Sequence, residues 1–336
     1  MQDAAQGRLF REDDGTPVRI HHLNCISTCP LGGRLMGGRN QGFLGRGHFT
    51  CHCLLIETPN DLVLVDCGLG LRDVADPKGR LSRFFLFLMR PEYREQMTAR
   101  RQIEALGFDA DDVRNIVLTQ LGFDHAGGLD DFPQATVHLL AREREHADLQ
   151  ETWMDRQRFR PQQWSTRDHW ITYTPGTSSE WMGFSSVHDL RGLPPEILLI
   201  PLPGHTHGHA GVAVQTGAVW QLLAGDAYLH HRELDLENPR CPPGLAFYQW
   251  LLEKDREVRL SNQQRLRELR RDHGNDVELY CSHDVAEFER LARHSARLPA
   301  DAFVAPSLPS RRRDAPAPDG VLPSRSTQQS DRPQYH

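Results

Sequence analysis

The sequence predicts an α/β sandwich in a single domain, and two features of its patterning support this fold class. Short apolar runs of about 4 to 8 residues alternate with turn residues, which is the pattern of buried strands. Stretches with helix-start and helix-stop residues lie between these runs, and two hairpin signals join neighbouring strands. Strands interleaved with helices, followed by a later hairpin, favour a layered α/β structure.

Nine segments are predicted as strands because they are short, apolar and bounded by turns. They are Val18–Leu23, Cys51–Glu57, Leu62–Asp66, Ile116–Thr119, Thr136–Leu140, Ile197–Leu202, Gly211–Gln215, Val219–Ala224 and Val277–Tyr280. The turn Pro59-Asn60-Asp61 joins the second segment to the third, and Thr216-Gly217 joins the seventh to the eighth.

Two helices are predicted from their end signals. Glu92–Leu106 is followed directly by Gly107, a residue typical of the position after a helix. Ser261–Asp272 begins at a serine, carries basic residues near its end and is followed by Gly274. The first of these helices belongs to a longer helical insertion that we expect at about residues 71–107.

The two ends of the chain differ from its middle. Residues 306–336 are rich in Pro, Ser, Arg and Asp and have few apolar side chains, so we expect a disordered tail there. Residues 1–15 are predicted as a flexible N-terminal segment, and residues 16–305 as the folded domain. Within the insertion, the run FFLFLM at Phe84–Met89 is expected either to line a cleft or to pack a helix onto the core.

Composition and charge exclude several classes of protein. The chain has 336 residues, 38% of them hydrophobic and 25% charged, as in soluble globular proteins. Its longest apolar run, Phe84–Met89, falls far short of the roughly 20 residues of a membrane span. A net charge of -6 does not indicate the basic surface that is typical of nucleic-acid-binding proteins. The polar N-terminus and seven scattered cysteines favour a cytoplasmic protein with reduced thiols, and a homodimer stays open.

Carboxylate and imidazole side chains follow several of the predicted strands, at the point where each strand ends. They are Asp66, Asp124 with His125, His205 with His207 and His209, Asp226, and His283. Strand ends converge at one edge of a sheet, and a catalytic metal needs at least three protein ligands fixed in one cleft. Each residue also has a simpler interpretation, such as a turn cap for Asp66 or Asp226 and a surface hydrogen bond for His205. The joint pattern favours a metal site.

Five motifs at these strand ends resemble, in order and spacing, those of the metallo-β-lactamase fold. They are VDCG at Val65–Gly68, FDHAGGL at Phe123–Leu129, PGHTHGH at Pro203–His209, AGDA at Ala224–Ala227 and CSHD at Cys281–Asp284. The similarity extends over roughly Ile20 to Leu291. The residues of the motifs are most similar to those of the lactonase-like hydrolases. The resemblance implies an αββα sandwich with a metal cleft at the edge of the sheets.

The resemblance also implies two sets of metal ligands. In the family the second motif reads HxHxDH, and two metal positions share one aspartate. One set would be Gln120, Gly122, His205 and Asp226, and the other would be Asp124, His125, Asp226 and His283. Gln120 is a neutral amide and Gly122 has no side chain, so the first set keeps only His205 and the shared Asp226. A zinc site generally uses three or four ligands, so we expect a second ion to be weakly held or absent.

The second set keeps two imidazoles and two carboxylates, which suit zinc and, as alternatives, manganese or iron. The leading prediction is therefore a one-metal hydrolase of a small-molecule substrate, a lactone or another carboxyl ester. Asp124 is predicted to bind the ion and to accept or orient the proton of water. Tyr228, two residues after Asp226, is predicted to donate a hydrogen bond to the developing oxyanion, with a packed tyrosine as the alternative.

Two other classes of function stay open. A non-catalytic binding protein with this fold would explain the changes at Gln120 and Gly122, although the intact second set argues against it. A mononuclear iron oxygenase is also compatible with the fold, but the oxygenases of this fold use the first position, which is the incomplete one here.

Overall fold

The computed structural model describes residues 18–37, 45–59, 61–164, 168–174 and 179–297. In the described part of the chain, strands β1 to β12 are Arg19–Asn24, His52–Glu57, Leu62–Val65, Val113–Val117, Thr136–Leu140, Trp170–Tyr173, Ser179–Trp181, Phe184–Asp189, Ile197–Pro201, Ala210–Thr216, Val219–Leu223 and Val277–Tyr280. They form two six-stranded sheets, with the orders β1-β2-β3-β4-β5-β6 and β12-β11-β10-β9-β8-β7. The predicted segments 1–15 and 306–336 lie outside the described residues.

Ten α-helices surround the sheets in the described ranges. Helices α1 to α10 are Leu71–Ala75, Pro77–Arg80, Arg83–Met89, Ala99–Ala105, Phe123–Ala126, Ala141–Leu149, Trp153–Arg158, Pro243–Leu252, Arg256–His273 and Val285–Ala292. Short 3-10 turns lie at Gly33–Met36, Glu95–Met97, Ala110–Asp112, Gly127–Asp131, Pro161–Gln163 and His231–Leu234. A search of the described residues finds no helix with the length and apolar character to cross a membrane.

Alternate residues of the central strands face opposite layers, which builds the sandwich. Leu54 of β2 lies in the core between the two sheets, where it shares a cluster with Leu199 of β9. Its neighbour Leu55 faces the other way and clusters with Ile103 of α4. The second sheet packs its outer face against α9 through residues such as Leu266. This period of two follows from the strand geometry, and it confirms the predicted αββα architecture.

Strand direction places the strand ends that carry the candidate ligands. Strands β1, β2 and β3 pair antiparallel, whereas β3, β4, β5 and β6 pair parallel to one another. In the second sheet β11 pairs parallel to β12. Because the carboxyl ends of parallel neighbours meet at the same edge, the loops after β3 and β4 lie together, as do those after β11 and β12.

One predicted strand had the wrong bounds, and three strands were not predicted. The strand predicted at Ile116–Thr119 is Val113–Val117 instead, because Thr119 has already left the ladder and donates its backbone N–H to the Asp66 carboxylate. The predictions also missed β6, β7 and β8, whose buried, half-buried and exposed residues do not alternate regularly along the sequence. These strands continue the sheets on the side remote from the hairpin signals.

Both predicted helices begin at a different residue in the structure. The helix predicted at Glu92–Leu106 begins only at Ala99, and the chain before it forms the 3-10 turn Glu95–Met97. The helix predicted at Ser261–Asp272 begins earlier, at Arg256, because the Asp255 carboxylate caps it by accepting the Val258 N–H at 3.0 Å.

Candidate metal centre

The candidate ligands converge from separate loops at one edge of the two sheets. His205 follows β9, Asp226 follows β11 and His283 follows β12, while Asp124 and His125 lie in the short helix α5. All five side chains are buried. The structure therefore brings together the five residues that the sequence predicted as metal ligands.

Asp226 occupies the centre of this group. Its Oδ1 lies 3.1 Å from His283 Nε2, and its Oδ2 lies 3.2 Å from His205 Nε2 and 3.4 Å from His125 Nε2. The Gln120 amide donates to the same Oδ2 at 2.6 Å. Burial raises the pKa of the Asp226 carboxyl, but the surrounding imidazoles outweigh burial and hold it well below its usual value. Asp226 is thus an anion that several donors share.

One side of Asp226 has the donors that a divalent ion requires. Asp124, His125 and His283 each offer a ligand atom within 4.8 Å of the others. Burial lowers the pKa of both imidazoles, but the charge of Asp226 outweighs it and raises both, that of His125 well above its usual value. The two rings therefore lie where positive charge is favoured. With the Asp226 carboxylate beside both rings, these residues provide two imidazoles and two carboxylates, which fit a divalent ion in number and in chemistry.

Hydrogen bonds fix the orientation of both imidazoles. His125 Nδ1 lies 2.8 Å from an Asp66 carboxylate oxygen, and His283 Nδ1 lies 2.7 Å from the Thr50 carbonyl oxygen. Each ring then turns its Nε2 towards Asp226. Asp66 is itself held by the N–H and the hydroxyl of Thr119, at 2.8 and 2.7 Å. Asp66 thus positions a ligand, a role beyond the turn cap considered from the sequence.

The other side of Asp226 is incomplete as a metal site. Of the first ligand set only His205 and Asp226 offer an imidazole or a carboxylate, and the buried Gln120 Oε1 has no hydrogen-bond partner. A Cβ added at Gly122 would lie 3.0 Å from Gln120 Oε1 and 3.5 Å from Asp124 Oδ1. The Gly122 position therefore points into the cleft, although no side chain is present to use it.

The other two histidines of the PGHTHGH motif have structural roles. His209 donates its Nδ1 hydrogen to the Leu202 carbonyl and accepts the Asp226 N–H at Nε2, both at 2.8 Å, which requires a neutral ring. Gly225 lies against this ring with a φ of 56°, where a side chain would collide with His209 Nε2. His207 packs edge-on against His146 at 4.6 Å between ring centroids. His209 therefore supports the backbone of a ligand without facing the cleft.

Two buried charged residues that the sequence analysis did not select hold the His205 loop. Arg158, at the end of α7, donates to the His205 carbonyl at 3.1 Å and also to the Leu252 carbonyl. Glu143 of α6 accepts the Leu121 N–H at 2.9 Å and also receives bonds from Thr206 and Gly208. Neither residue belongs to a motif, so no local signal marked them.

The structure separates the two tyrosines that could face the cleft. Tyr228 is fully buried and donates its hydroxyl hydrogen to the Glu287 carboxyl group, at 3.0 and 3.1 Å from the two oxygens, which argues against its predicted oxyanion role. Tyr248 of α8 keeps 8% exposure. Burial, and then the charges of Asp124 and Asp226, raise the pKa of Tyr248 well above its usual value. Tyr248 also belongs to the buried cluster that contains Phe123, the residue before Asp124, so it packs on the Asp124 side of the site.

The Glu287 carboxyl behind Tyr228 gives the fold a pH-dependent stability. Burial, and then the charge of Asp284, raise the pKa of Glu287 to about 8. Between its ordinary value and about 8 the folded chain keeps a proton that the unfolded chain has lost, so this stabilisation is complete at low pH and is lost as pH rises through about 8. We expect the wild type to lose about 4 kcal/mol more than Glu287→Gln in urea unfolding between pH 5 and pH 8.5. Equal losses would contradict this assignment.

A second cluster, His230, His231 and Asp284, also has ligand atoms within 4.8 Å of one another in the described part of the chain. One Asp284 oxygen already accepts both the Nδ1 hydrogen and the backbone N–H of His231, each at 2.8 Å. The other oxygen caps α10 through the N–H groups of Ala286 and Glu287. This arrangement is a closed ion pair and helix cap, so the cluster at Asp226 is the candidate metal centre.

Comparison with known proteins agrees with this geometry. Residues 46–279 match the family model of the metallo-beta-lactamase superfamily. Probable metallo-hydrolases of Mycobacterium tuberculosis and Mycobacterium bovis are each 39% identical over 285 residues, which cover 85% of this chain and 86% of theirs. An N-acyl homoserine lactonase of Azorhizobium caulinodans is 33% identical over 93 residues, 28% of this chain and 35% of that protein.

Solved structures show the same fold at low sequence identity. An N-acyl homoserine lactone hydrolase with N-hexanoyl-L-homoserine at its catalytic metal centre superposes with a TM-score of 0.61 at 20% identity, covering 82% of this chain and 96% of that one. A dizinc quorum-quenching lactonase superposes with a TM-score of 0.54 at 14% identity, covering 80% of this chain and 87% of that one. With the family match over residues 46–279 and the relatives along most of its length, the chain belongs to the metallo-beta-lactamase superfamily.

Proposed function

We propose that this protein hydrolyses a lactone or another carboxyl ester of a small molecule with the help of one divalent metal ion, most simply zinc. The observation that carries the proposal is the buried set of two imidazoles and two carboxylates on one side of the cleft, made by Asp124, His125, Asp226 and His283. The opposite side has lost the imidazoles at Gln120 and Gly122, which supports one ion over two.

Different residues of the cleft have different roles in the proposed hydrolysis. An ion held by the four ligands would lower the pKa of a bound water from about 15.7 towards about 7 and polarise a carbonyl group. Asp124, a carboxylate at the edge of the ligand set, accepts the proton of the attacking water. Tyr248 donates its phenolic hydrogen to the carbonyl oxygen as negative charge develops there. His205 faces the incomplete side of the cleft and is placed to hydrogen-bond substrate.

Apolar side chains beside the cleft support an ester with a hydrophobic group. Phe85 of α3 packs against Phe123, the residue before Asp124, with 4.6 Å between ring centroids. Phe84 contacts Trp153 at 5.1 Å, and Phe87 on the same helix is 67% exposed. The run FFLFLM therefore both packs into the core and presents apolar surface near α5. The lactonase names of the shorter relative and of the solved structures also support a lactone.

A substrate screen tests this proposal. Protein loaded with zinc, manganese or iron is assayed against a panel of lactones and aryl esters, with chelator-treated protein as the control. We expect hydrolysis of at least one ester or lactone class that disappears on chelation and returns with the ion. A metal-loaded protein that hydrolyses neither class would overturn the proposed activity.

The Tyr248→Phe substitution tests the assignment of the oxyanion donor. Removing the hydroxyl should lower kcat by about 100-fold, because one donor to the developing charge is lost. The zinc content should stay unchanged, because Tyr248 is not a ligand. Tyr280→Phe, which removes a hydroxyl bonded to Gln221 at 3.3 Å, serves as the matched control. A larger loss in Tyr228→Phe than in Tyr248→Phe would instead support the role predicted from the sequence.

A further inference from the structure

The cleft buries more negative charge than one divalent ion balances. Asp66, Asp124 and Asp226 surround the ligand imidazoles, and Glu143 lies behind the His205 loop; all four carboxyl groups are buried. One divalent ion would offset the charge of two carboxylates. A buried negative charge is costly unless a positive charge accompanies it. The remaining negative charge therefore calls for a fixed cation close to the incomplete side of the cleft.

Arg158 is a buried cation on that side. Only 3% of the residue is exposed, and its guanidinium donates to the carbonyl oxygen of His205, the imidazole that remains there. The next residue, Phe159, forms an isolated bridge with Gly122, the position that lacks a ligand side chain. The guanidinium thus lies in the same region of the fold as Gln120 and Gly122, the two positions that lack an imidazole.

Anchoring the loop is one role of Arg158, but this role does not require its charge. The guanidinium joins the His205 carbonyl to the Leu252 carbonyl at the end of α8, and neutral donors also satisfy buried carbonyls. Burial of an arginine is expensive unless anions compensate it. Arg158 donates to the backbone of His205, and the imidazole of His205 lies 3.2 Å from the Asp226 carboxylate. The Glu143 carboxyl accepts the Gly208 N–H in the same loop. The positive charge of Arg158 therefore offsets negative charge in the cleft around Asp226.

We propose that Arg158 is a fixed positive charge on the His205 side of the cleft that takes the place of a second metal ion. This inference rests on the proposed one-metal function. It reduces the excess of buried negative charge that the loss of imidazoles at Gln120 and Gly122 would otherwise leave beside a single ion. The charge also lies on the side where a substrate oxygen becomes negative during hydrolysis, and it favours that development of charge.

Zinc affinity distinguishes an electrostatic role of Arg158 from a structural one. Arg158→Gln removes a positive charge that repels the bound ion, so we expect Zn²⁺, titrated against a competing chelator, to bind about tenfold tighter or more. Turnover of an ester substrate should fall in the same variant. Arg158→Lys keeps the charge and should retain the zinc affinity of the wild type. If Arg158 only anchors the loop, Arg158→Gln should bind zinc more weakly, which would overturn the proposal.

Glu143→Gln gives a test of opposite sign that does not depend on the folding of the arginine variant. Removing this negative charge leaves Arg158 less compensated, and Zn²⁺ should bind about tenfold more weakly. An unchanged zinc affinity in Glu143→Gln would contradict the proposal by itself. The wild type separates the two hypotheses: a wild type that binds no zinc refutes the proposed function, whereas zinc binding with hydrolysis but without the two opposite shifts refutes only the role of Arg158.

Discussion

Asp124→Ala and His283→Ala should each remove the bound ion, together with the ester or lactone hydrolysis that depends on it. The wild type should carry about one equivalent of divalent metal after loading and gel filtration, measured by elemental analysis. Each substitution leaves three of the four predicted ligands. We expect the affinity for the metal ion to fall by at least about 100-fold as a result. Both variants should then elute without metal.

The half-buried cluster of His230, His231 and Asp284 provides the control for this count. His231→Ala should leave the metal content at about one equivalent, because Asp284 in that cluster already serves an ion pair and a helix cap. A wild type without metal after supplementation with zinc, manganese or iron would favour the binding protein over the enzyme. Two equivalents in the wild type would show that Gln120 and His205 hold a second ion.

Much of the candidate metal centre was predictable because the elements that carry it have local signals. Strands Thr136–Leu140 and Val277–Tyr280 agree with the structure at both ends, since turns or helix starts bound these apolar runs closely. Asp226 and His283 directly follow two parallel strands, so strand order alone brings them to the same edge. Residues placed by strand ends could therefore be assigned to one cleft before any distance was known.

The residues that the sequence analysis missed reach the site through contacts between distant elements. Arg158 and Tyr248 lie on different helices, and nothing in the spacing of either helix reveals that it meets the His205 loop. Tyr228 shows the converse, because its position after Asp226 suggested an oxyanion role that its hydrogen bond to a distant residue argues against. Glu287, 59 residues further along the chain, accepts the hydrogen bond that the Tyr228 hydroxyl donates. The direction of a side chain after a strand end is decided by such packing and not by the motif.

The double substitution Gln120→His with Gly122→His should raise the zinc content from about one equivalent towards two. A side chain at Gly122 would point at the Gln120 amide and at Asp124, so both introduced imidazoles would face the cleft beside His205 and Asp226. The φ of Gly122 is -58°, which a residue with a side chain adopts without strain. Four ligands would then surround the incomplete position, as a closed zinc site requires.

Gly122→Ala is the matched control for the double substitution, since it adds the Cβ without a ligand and should leave the zinc content at one. If Arg158 occupies the place of a second ion, its charge will oppose the gain, and the new ion will bind weakly in the double variant. Adding Arg158→Gln should then tighten the second ion more than the first, because the introduced imidazoles lie on the Arg158 side of Asp226. A zinc content that stays at one in both backgrounds would show that Gln120 and Gly122 do not mark a metal position.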